Sequence, residues 1–373
     1  MPASQSDHMS KTAMPRPGRL MSLDVLRGMD MALIAGGSAV LRSVAETIGP
    51  GCHTWMMQQT THVPWHGYSP WDQIFPMFMF ISGVAIPFAL ASRRERAVKH
   101  GTQCMQIIRR GLLLVLFGMM YNGLLKFDFE SLRCASVLGR IGLGYMFAAL
   151  ITLHWNLRGQ ILWLAGLLLG YWILLAWVPV PGLGAGDFSE GNTWTNYIDQ
   201  HWLPGKMYRE TGDPEGLLST LPAIATVLSG VCAGHWLRSS FGSMRKVTGL
   251  IGTGLVCVLL GLFWDQYFPI NKNLWTSSFV LFTSGWSAIL LGVLYGLVDV
   301  WGWRKWGFFF MVIGVNAITI YLLRQVIDFE SIGQLIFGKL ENRVHMVFWN
   351  AMDLTIGWLF LYELYRRKIF LRL

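Results

Sequence analysis

Residues 74–91 read IFPMFMFISGVAIPFALA, an apolar run that contains no charged side chain. A bilayer whose hydrocarbon core is about 30 Å thick needs about 20 apolar residues in a spanning α-helix. The stretch just before the run, HVPWHGYSPWDQ at residues 62–73, concentrates two histidines, an aspartate and several aromatic side chains. The sequence therefore predicts a membrane-spanning helix that begins next to a dense polar cluster.

The composition of the whole chain supports a membrane protein. Its 373 residues are 53% hydrophobic and only 14% charged, and the mean hydropathy is +0.43, whereas soluble domains are about 25% charged. The net charge of +9 is explained by the Lys and Arg that accumulate in cytoplasmic loops. We therefore predict contact with the lipid bilayer and no nucleic-acid partner.

Further apolar runs recur along the chain, and most of the 30 Lys and Arg residues fall on one side if the N-terminus is cytoplasmic. The fold class predicted from this pattern is all-α, a polytopic transmembrane helical bundle of about ten spans with both termini cytoplasmic. Segments 46–71 and 181–215 then lie outside. The predicted spans are residues 23–45, 72–92, 107–125, 137–154, 160–180, 216–237, 248–268, 275–298, 305–324 and 346–365.

The first 20 residues are polar and contain prolines, which predicts a disordered cytoplasmic segment. No cleavable signal peptide is visible. Residues 21–373 show no internal repeat or low-complexity tract, so we predict one transmembrane domain there.

The polar cluster at 62–73 offers two catalytic candidates. His62 titrates near neutral pH, which suits a proton acceptor or a nucleophile. Asp72 begins the following helix, where a carboxylate also serves as a cap. An interfacial position explains Trp65 and His66 equally well, but the density of the cluster favours a functional site.

Charged side chains inside predicted spans are costly and suggest function by default. Asp24 and Arg27 are one helical turn apart, so they form either a structural ion pair or a pair that orients a catalytic group or binds a polar ligand. Arg140 lies within an apolar helix and needs a carboxylate or an anionic ligand such as a phosphate.

Further polar residues lie next to or within spans. Asp213 and Glu215 precede a helix start, where capping explains them. Asn316 is explained either by hydrogen bonding between helices or by ligand contact. The other candidate ligand contacts are Asn271, Lys272, Asn273, Trp275 and Tyr321.

Several familiar site motifs are absent from the sequence. The five cysteines are scattered without CxxC or other metal-ligand spacing. There is no HExxH, no Walker A sequence and no serine elbow. We therefore interpret the cysteines as packing residues and predict no metal.

Seven segments occur together in an order that is typical of one family. In this order the chain resembles the heparan-α-glucosaminide N-acetyltransferase-like family of transmembrane acyltransferases, including its NagX-like bacterial branch. The resemblance extends over nearly the whole chain from residue 20. The segments are SLDVLRG at 22–28, HVPWHGYSPWD at 62–72, IFPMFMFISG at 74–83, RCASVLGRIGLGY at 133–145, DPEGLLST at 213–220, PINKNLW at 269–275 and GVNAITIY at 314–321.

The resemblance implies an enzyme that takes an acetyl group from cytosolic acetyl-CoA to a glucosamine amine on the far side of the membrane. The family's active histidine corresponds to His62, and Asp72 or Asp24 would orient its ring. The resemblance also implies a homodimer. With the short N-terminus, it favours a bacterial inner membrane and a free or short amino sugar, or a cell-wall glycan, as acceptor. The expected binding residues for acetyl-CoA or sugar are Asp24, Arg27, Trp65, Arg140, Asn271, Lys272, Asn273, Trp275, Asn316 and Tyr321.

Two alternatives to the enzyme stay open at this stage. One is an amino-sugar permease, which would import N-acetylglucosamine without acetyl-CoA. The other is a scaffold protein, which the buried ionisable groups argue against. For the enzyme, His62 either carries the acetyl group or acts as a general base.

Overall fold

The computed structural model describes residues 20–325 and 345–371, together with Ile327 and Ser331. Apart from Leu20, the segment predicted to be disordered lies outside the described residues. The helices are α1 Met21–Ala32, α2 Ser38–Ile48, α3 Pro50–Gln59, α4 Ile74–Glu95, α5 His100–Tyr121, α6 Val137–His154, α7 Leu157–Trp177, α8 Trp194–Trp202, α9 Thr220–Arg238, α10 Ser243–Asp265, α11 Ser277–Leu294, α12 Phe308–Val315, α13 Ala317–Leu323 and α14 Met346–Arg366.

Eight helical segments within these described ranges are long and apolar enough to cross a membrane. The chain is therefore an integral membrane protein, and the all-α helical class predicted from the sequence is confirmed. The eight segments are Met21–Ile48, Pro70–Glu95, His100–Tyr121, Val137–His154, Leu157–Trp177, Thr220–Arg238, Ser243–Asp265 and Ser277–Val300.

The last two predicted spans differ from the structure. The run at 305–324 is divided into α12 and α13 at Asn316, whose backbone angles (φ −120°, ψ 24°) leave the helical region. The final helix, α14, has 21 residues but is not among the eight apolar segments. Ten spans, cytoplasmic termini and a single domain over 21–373 stay predictions.

Close helix packing fixes the position of α4, the helix quoted first. A Cβ atom on Gly83 of α4 would overlap the carbonyl oxygen of Val227 on α9, and a Cβ on Gly230 of α9 would overlap that of Phe80. Small residues of this kind let helix backbones approach each other in membranes. Pro87 lies inside α4 and cannot donate the usual hydrogen bond to the carbonyl of Gly83.

The helices α4, α6 and α9 run in the same direction, so their first residues lie at one end of the bundle and their last residues at the other. These helices start near the loops at 60–69, 122–136, 203–219 and 266–276, which meet through the contacts described below; we call this the polar end. At the other end, Glu95 of α4, Thr152 of α6 and Arg238 of α9 line a common cavity. We call this the cavity end.

Candidate functional site

The carboxylate of Asp72 is held by the turn that leads into α4. Residues Pro70–Gln73 form one turn of 3₁₀ helix, and the N–H of Ser69 donates to Oδ2 of Asp72 at 3.1 Å. The hydroxyl of Ser69 donates to the carbonyl of Thr61 at 2.7 Å. The capping role predicted for Asp72 is therefore present, and it leaves Oδ1 available for a second partner.

That second partner is His62. Its Nδ1 lies 2.7 Å from Oδ1 of Asp72. When Nδ1–H donates to the carboxylate, the lone pair of the imidazole is on Nε2. The side chain of His62 is 52% exposed and that of Asp72 only 1%, so a partly exposed imidazole lies above a buried carboxylate. We call this pair the His62–Asp72 dyad.

Lys272 completes a three-residue cluster at the polar end. Its Nζ lies 2.9 Å from Nδ1 and 3.0 Å from Nε2 of His62, and 3.5 Å from Oδ1 of Asp72. Burial lowers the pKa of the Lys272 ammonium below its ordinary value, and the Asp72 carboxylate opposes that shift. The cluster therefore places a cationic group beside both ring nitrogens.

The loop that carries Lys272 is braced by Asn271. Oδ1 of Asn271 accepts from the N–H of Leu274 at 2.9 Å, and its Nδ2 lies 3.4 Å from Nδ1 of His66. The N–H of Gly67 donates to the carbonyl of Ile270 at 2.9 Å. Asn271 therefore holds the two loops that bring Lys272 to His62.

Arg140 and Trp275 contact each other below this loop. The Arg140 guanidinium, only 1% exposed, lies 5.1 Å from the centre of the Trp275 ring and donates to the carbonyl of Gly216 at 3.1 Å and to the hydroxyl of Ser219. The Nε1 of Trp275 donates to Thr226 at 3.0 Å. Arg140 thus contacts neutral groups where a carboxylate or phosphate was expected. Its position, in the first turn of α6, is at the polar end.

The capping interpretation of Asp213 and Glu215 was wrong. Both carboxylates bind Arg133, whose Nε and Nη2 lie 2.7 and 2.6 Å from the two oxygens of Asp213 and whose Nη2 also contacts Glu215. A planar guanidinium satisfies a carboxylate through two parallel hydrogen bonds, which capping does not provide. Desolvation raises the pKa of Asp213, but the hydrogen bonds from Arg133 lower it below its usual range. Sequence reasoning missed Arg133, although it opens the RCASVLGR segment.

Trp65 and Asn273 lie at the rim of the polar end. The Nε1 of Trp65 donates to the carbonyl of Phe188 at 2.8 Å, and the guanidinium of Arg209 lies 5.6 Å from its ring. Asn273 lines a cleft together with Trp65 and Asp199. Trp65 thus joins the loop of His62 to the long loop before α9, and its predicted ligand contact stays a prediction.

Asp24 and Arg27 lie elsewhere. They form the predicted ion pair at 3.3 Å. The N–H groups of Met21 and Ser22 at the start of their helix donate to Asp299, each at 3.1 Å. The helix that starts as α11 begins at the polar end, and Asp299 lies about 30 Å farther along it. Asp299 is therefore at the opposite end of the bundle. The structure therefore places Asp24 and Arg27 towards the cavity end, away from His62.

Asn316 and Tyr321 also lie outside the His62 cluster. Tyr321 stacks on Tyr121 with the ring centres 4.8 Å apart. Neither side-chain polar atom of Asn316, which is 2% exposed, has a hydrogen-bond partner among the described residues. The interhelical hydrogen bond considered for Asn316 is therefore not seen. Asp30, which is 1% exposed, likewise has no hydrogen-bond partner in the described part of the chain.

The cavity end contains a basic cavity of about 270 Å³. Arg94, Arg238 and His235 line it, next to apolar residues of α4. His235 Nε2 lies 3.0 Å from Oε1 of Gln160. Basic side chains around a cavity of this kind attract anionic groups such as phosphates. The sequence showed these residues only as scattered loop and helix-end charges.

The comparisons with known proteins agree with the family resemblance. The chain is 29% identical to human heparan-alpha-glucosaminide N-acetyltransferase over 95% of its own length and 60% of the human protein. It is 26% identical to the mouse protein of the same name over 98% of its length and 62% of that protein. The chain is therefore similar, over nearly its whole length, to two proteins named heparan-alpha-glucosaminide N-acetyltransferase. No family model matches the chain.

The similarity to these N-acetyltransferases confirms the resemblance drawn from the seven sequence segments. The chain spans about three fifths of the length of the two curated relatives.

Proposed function

We propose that this chain is a membrane-embedded N-acetyltransferase that moves an acetyl group from acetyl-CoA to the amine of a glucosamine-type sugar. The 2.7 Å contact between the exposed His62 ring and the buried Asp72 carboxylate carries the proposal. The similarity to relatives named for glucosaminide N-acetylation supports the substrate class.

The dyad has the arrangement that acyl transfer requires. Asp72 holds the imidazole in the tautomer whose lone pair is on Nε2, the function that the second carboxylate serves in hydrolase triads. An amine must be neutral to attack a thioester carbonyl, so the reaction needs a base near the acceptor. Nε2 of His62 is the candidate for that base.

Two routes are consistent with the dyad. In the first, Nε2 attacks the thioester carbonyl, the C–S bond breaks, and CoA leaves as a thiolate that takes up a proton. The acetyl-imidazole then passes its acetyl group to the sugar amine, which loses a proton as the amide forms. In the second route, both substrates bind together and His62 removes the amine proton directly.

Lys272 is assigned the electrostatic role in either route. A tetrahedral intermediate carries negative charge on the former carbonyl oxygen, and a fixed cation next to it lowers the barrier. The Nζ of Lys272 lies within 3.0 Å of both ring nitrogens of His62. It is therefore near any carbonyl that the ring attacks.

The basic cavity is the candidate site for the phosphates of acetyl-CoA. Arg94 and Arg238 lie at the end of the bundle that the charge pattern predicts to be cytoplasmic. Asp24 and Arg27 lie towards the same end, whereas Arg140 lies at the polar end. Entry of acetyl-CoA from the cytoplasm would then bring its acetyl group along the bundle toward His62. The homodimer and the bacterial inner membrane stay predictions.

The decisive experiment measures acetyl transfer from acetyl-CoA to glucosamine by the purified protein and by His62→Ala. A matched control is His53→Ala, since His53 lies on α3 just before the same loop. We expect His62→Ala to lose activity by a factor of at least about 100 and His53→Ala to retain it. A labelled acetyl group trapped on wild-type protein in the absence of sugar would select the first route.

Binding of acetyl-CoA is tested separately by thermal stability, because a ligand that binds only the folded state raises its apparent stability. Acetyl-CoA should stabilise wild type and His62→Ala alike, and Arg94→Gln should reduce the effect. Full acetyl transfer by His62→Ala would remove the proposed mechanism. Stabilisation by N-acetylglucosamine but not by acetyl-CoA would favour the permease.

A further inference from the structure

Three metal-ligating side chains meet at the cavity end, far from the His62–Asp72 dyad. His100 and Cys104 lie one turn apart on α5, and His154 is the last residue of α6. One nitrogen of each histidine and the sulfur of Cys104 all lie within 4.8 Å of one another. The sequence analysis missed this cluster because its third member is separated from the first two by most of α5, a loop and the rest of α6.

The ring of His154 is oriented for metal binding. Its Nδ1 lies 2.8 Å from the carbonyl oxygen of Leu150, so Nδ1 carries the proton and Nε2 carries the lone pair. Histidines that bind metals usually donate their other ring N–H to a carbonyl or carboxylate in this way. The hydrogen bond therefore prepares Nε2 of His154 as a ligand.

The donor distances are near those of a tetrahedral site. Sγ of Cys104 lies 3.9 Å from Nδ1 of His100, and donors around a tetrahedral zinc ion, with bonds of about 2.0–2.3 Å, lie about 3.6 Å apart. The two imidazole rings are nearly perpendicular, with their centres 4.9 Å apart. The donor atom of His154 lies within 4.8 Å of the other two, so side-chain rotation is needed to bring the three donors onto one ion.

The donor atoms of the cluster and their exposure to solvent favour zinc. Nitrogen and thiolate donors suit zinc, whereas magnesium and calcium prefer oxygen. Both histidines are exposed and Cys104 is half-buried, so an ion can enter from solvent while the sulfur remains partly shielded. Three protein ligands leave a fourth position for water.

We propose that His100, Cys104 and His154 form a Zn²⁺ site that joins the start of α5 to the end of α6. The ion would clamp these helix ends beside the basic cavity, since α6 also contributes Thr152 to the cavity wall. On binding, the thiol of Cys104 gives up its proton to water and coordinates as a thiolate. The proposal does not depend on acetyl transfer.

The test uses Co²⁺ as a spectroscopic probe on tag-free protein in detergent. Thiolate coordination gives a sulfur-to-cobalt absorption band in the near ultraviolet, which excess Zn²⁺ then removes. Wild type and the control Cys52→Ser should show the band, because Cys52 lies on α3 at a distance from the cluster. Cys104→Ser should lose the band, and His154→Ala should bind Zn²⁺ more than about tenfold more weakly.

Thermal stability without metal checks that each variant is folded, and His154→Ala is the safer variant because His154 is exposed. Zn²⁺ should raise the apparent stability of wild type but not of Cys104→Ser. The proposal is overturned if wild type gives no thiolate band. An equal Zn²⁺ affinity in wild type and His154→Ala would also overturn it.

Discussion

Nδ1 of His62 lies 2.7 Å from Oδ1 of Asp72, and the other oxygen of the same carboxylate accepts from the N–H of Ser69. One buried side chain therefore starts a helix and orients an imidazole. The fold and the proposed chemistry depend on the same residue, and the two roles can be separated by mutation.

Substitution of Asp72 tests the orientation of His62. In Asp72→Asn, the amide can present its N–H₂ to Nδ1, which favours the tautomer with the proton on Nε2. We expect kcat for acetyl transfer to fall by a factor of about 10²–10⁴, as for the corresponding change in a hydrolase triad. Steady-state kinetics should show a much smaller change in KM.

Ser69→Ala is the matched control for Asp72→Asn, because it removes the hydroxyl that lies 3.1 Å from Oδ2 of Asp72 but keeps the backbone N–H that donates to the same oxygen. It should reduce stability by about 1 kcal/mol and leave most of the activity. Equal kinetic losses in the two variants would mean that Asp72 serves only as a cap.

The stability contributed by Lys272 should depend on pH. Burial lowers the pKa of Lys272 in the folded protein below the 10.5 of the free side chain, so the unfolded chain binds more protons between those two values. Stability therefore rises with pH across that interval. Relative to Lys272→Met, wild type should gain thermal stability as the pH is raised towards 10.5. A difference between the two proteins that does not vary with pH would contradict this assignment.

Loss of Arg133 should destabilise the protein strongly. Arg133→Met leaves the carboxylates of Asp213 and Glu215, 0% and 9% exposed, without their common cation. We expect the free energy of unfolding to fall by about 3 kcal/mol, the lower part of the range for a broken buried pair. The measurement is thermal unfolding in detergent.

The control for this prediction is an exposed ion pair. Arg367 lies 2.7 Å from Glu363 on α14, and the two side chains are 67% and 39% exposed. Arg367→Met should change the stability by less than about 0.5 kcal/mol. If Arg133→Met were equally mild, the Arg133 cluster would not hold the loop before α9.

The buried carboxylate of Asp30 should cost the protein stability. It has no hydrogen-bond partner among the described residues, and an unsatisfied buried polar group costs about 1–3 kcal/mol. Asp30→Leu, which keeps the number and branching of the side-chain heavy atoms but is apolar, should therefore raise the thermal stability. Asp299→Leu should lower it, because Asp299 accepts two N–H groups at the start of α1. A loss of stability in Asp30→Leu would show that Asp30 has a partner.

The sequence predicted the fold best where a single apolar run determines the length of a helix. The span expected at 72–92 corresponds to the turn at Pro70–Gln73 and α4, because a long apolar run can be satisfied only by crossing the bilayer. The break at Asn316 was not predictable, since its neighbours are as apolar as those of any span. At that break Gly314 packs directly against the backbone of α1 at Asp24, a contact made between distant parts of the chain.

Contacts of the candidate site between residues close in sequence were easier to predict than contacts between residues far apart in sequence. His62 and Asp72 belong to one short loop, and the sequence proposed Asp72 or Asp24 as the partner of the ring; the structure has Asp72 in contact with it. Lys272 reaches His62 only because α10 returns the chain to the polar end, where the loop before α11 begins. The contact of Lys272 with His62 depends on tertiary packing that cannot be read from a single sequence. The same is true of the pairing of Arg133 with Asp213.

The proline inside α4 affects how the two ends of this helix are connected. The helix has Asp72 before its first residue and the cavity residues Arg94 and Glu95 at its last turn. Pro87 lies between them and leaves the carbonyl of Gly83 without its helical donor. A helix bends most readily where a proline removes a hydrogen bond, and in α4 this position is where Pro87 packs on Gly234 of α9. Bending there would shift the cavity wall while the dyad stays in place, so that a molecule could be received at one end without disturbing the reactive ring at the other.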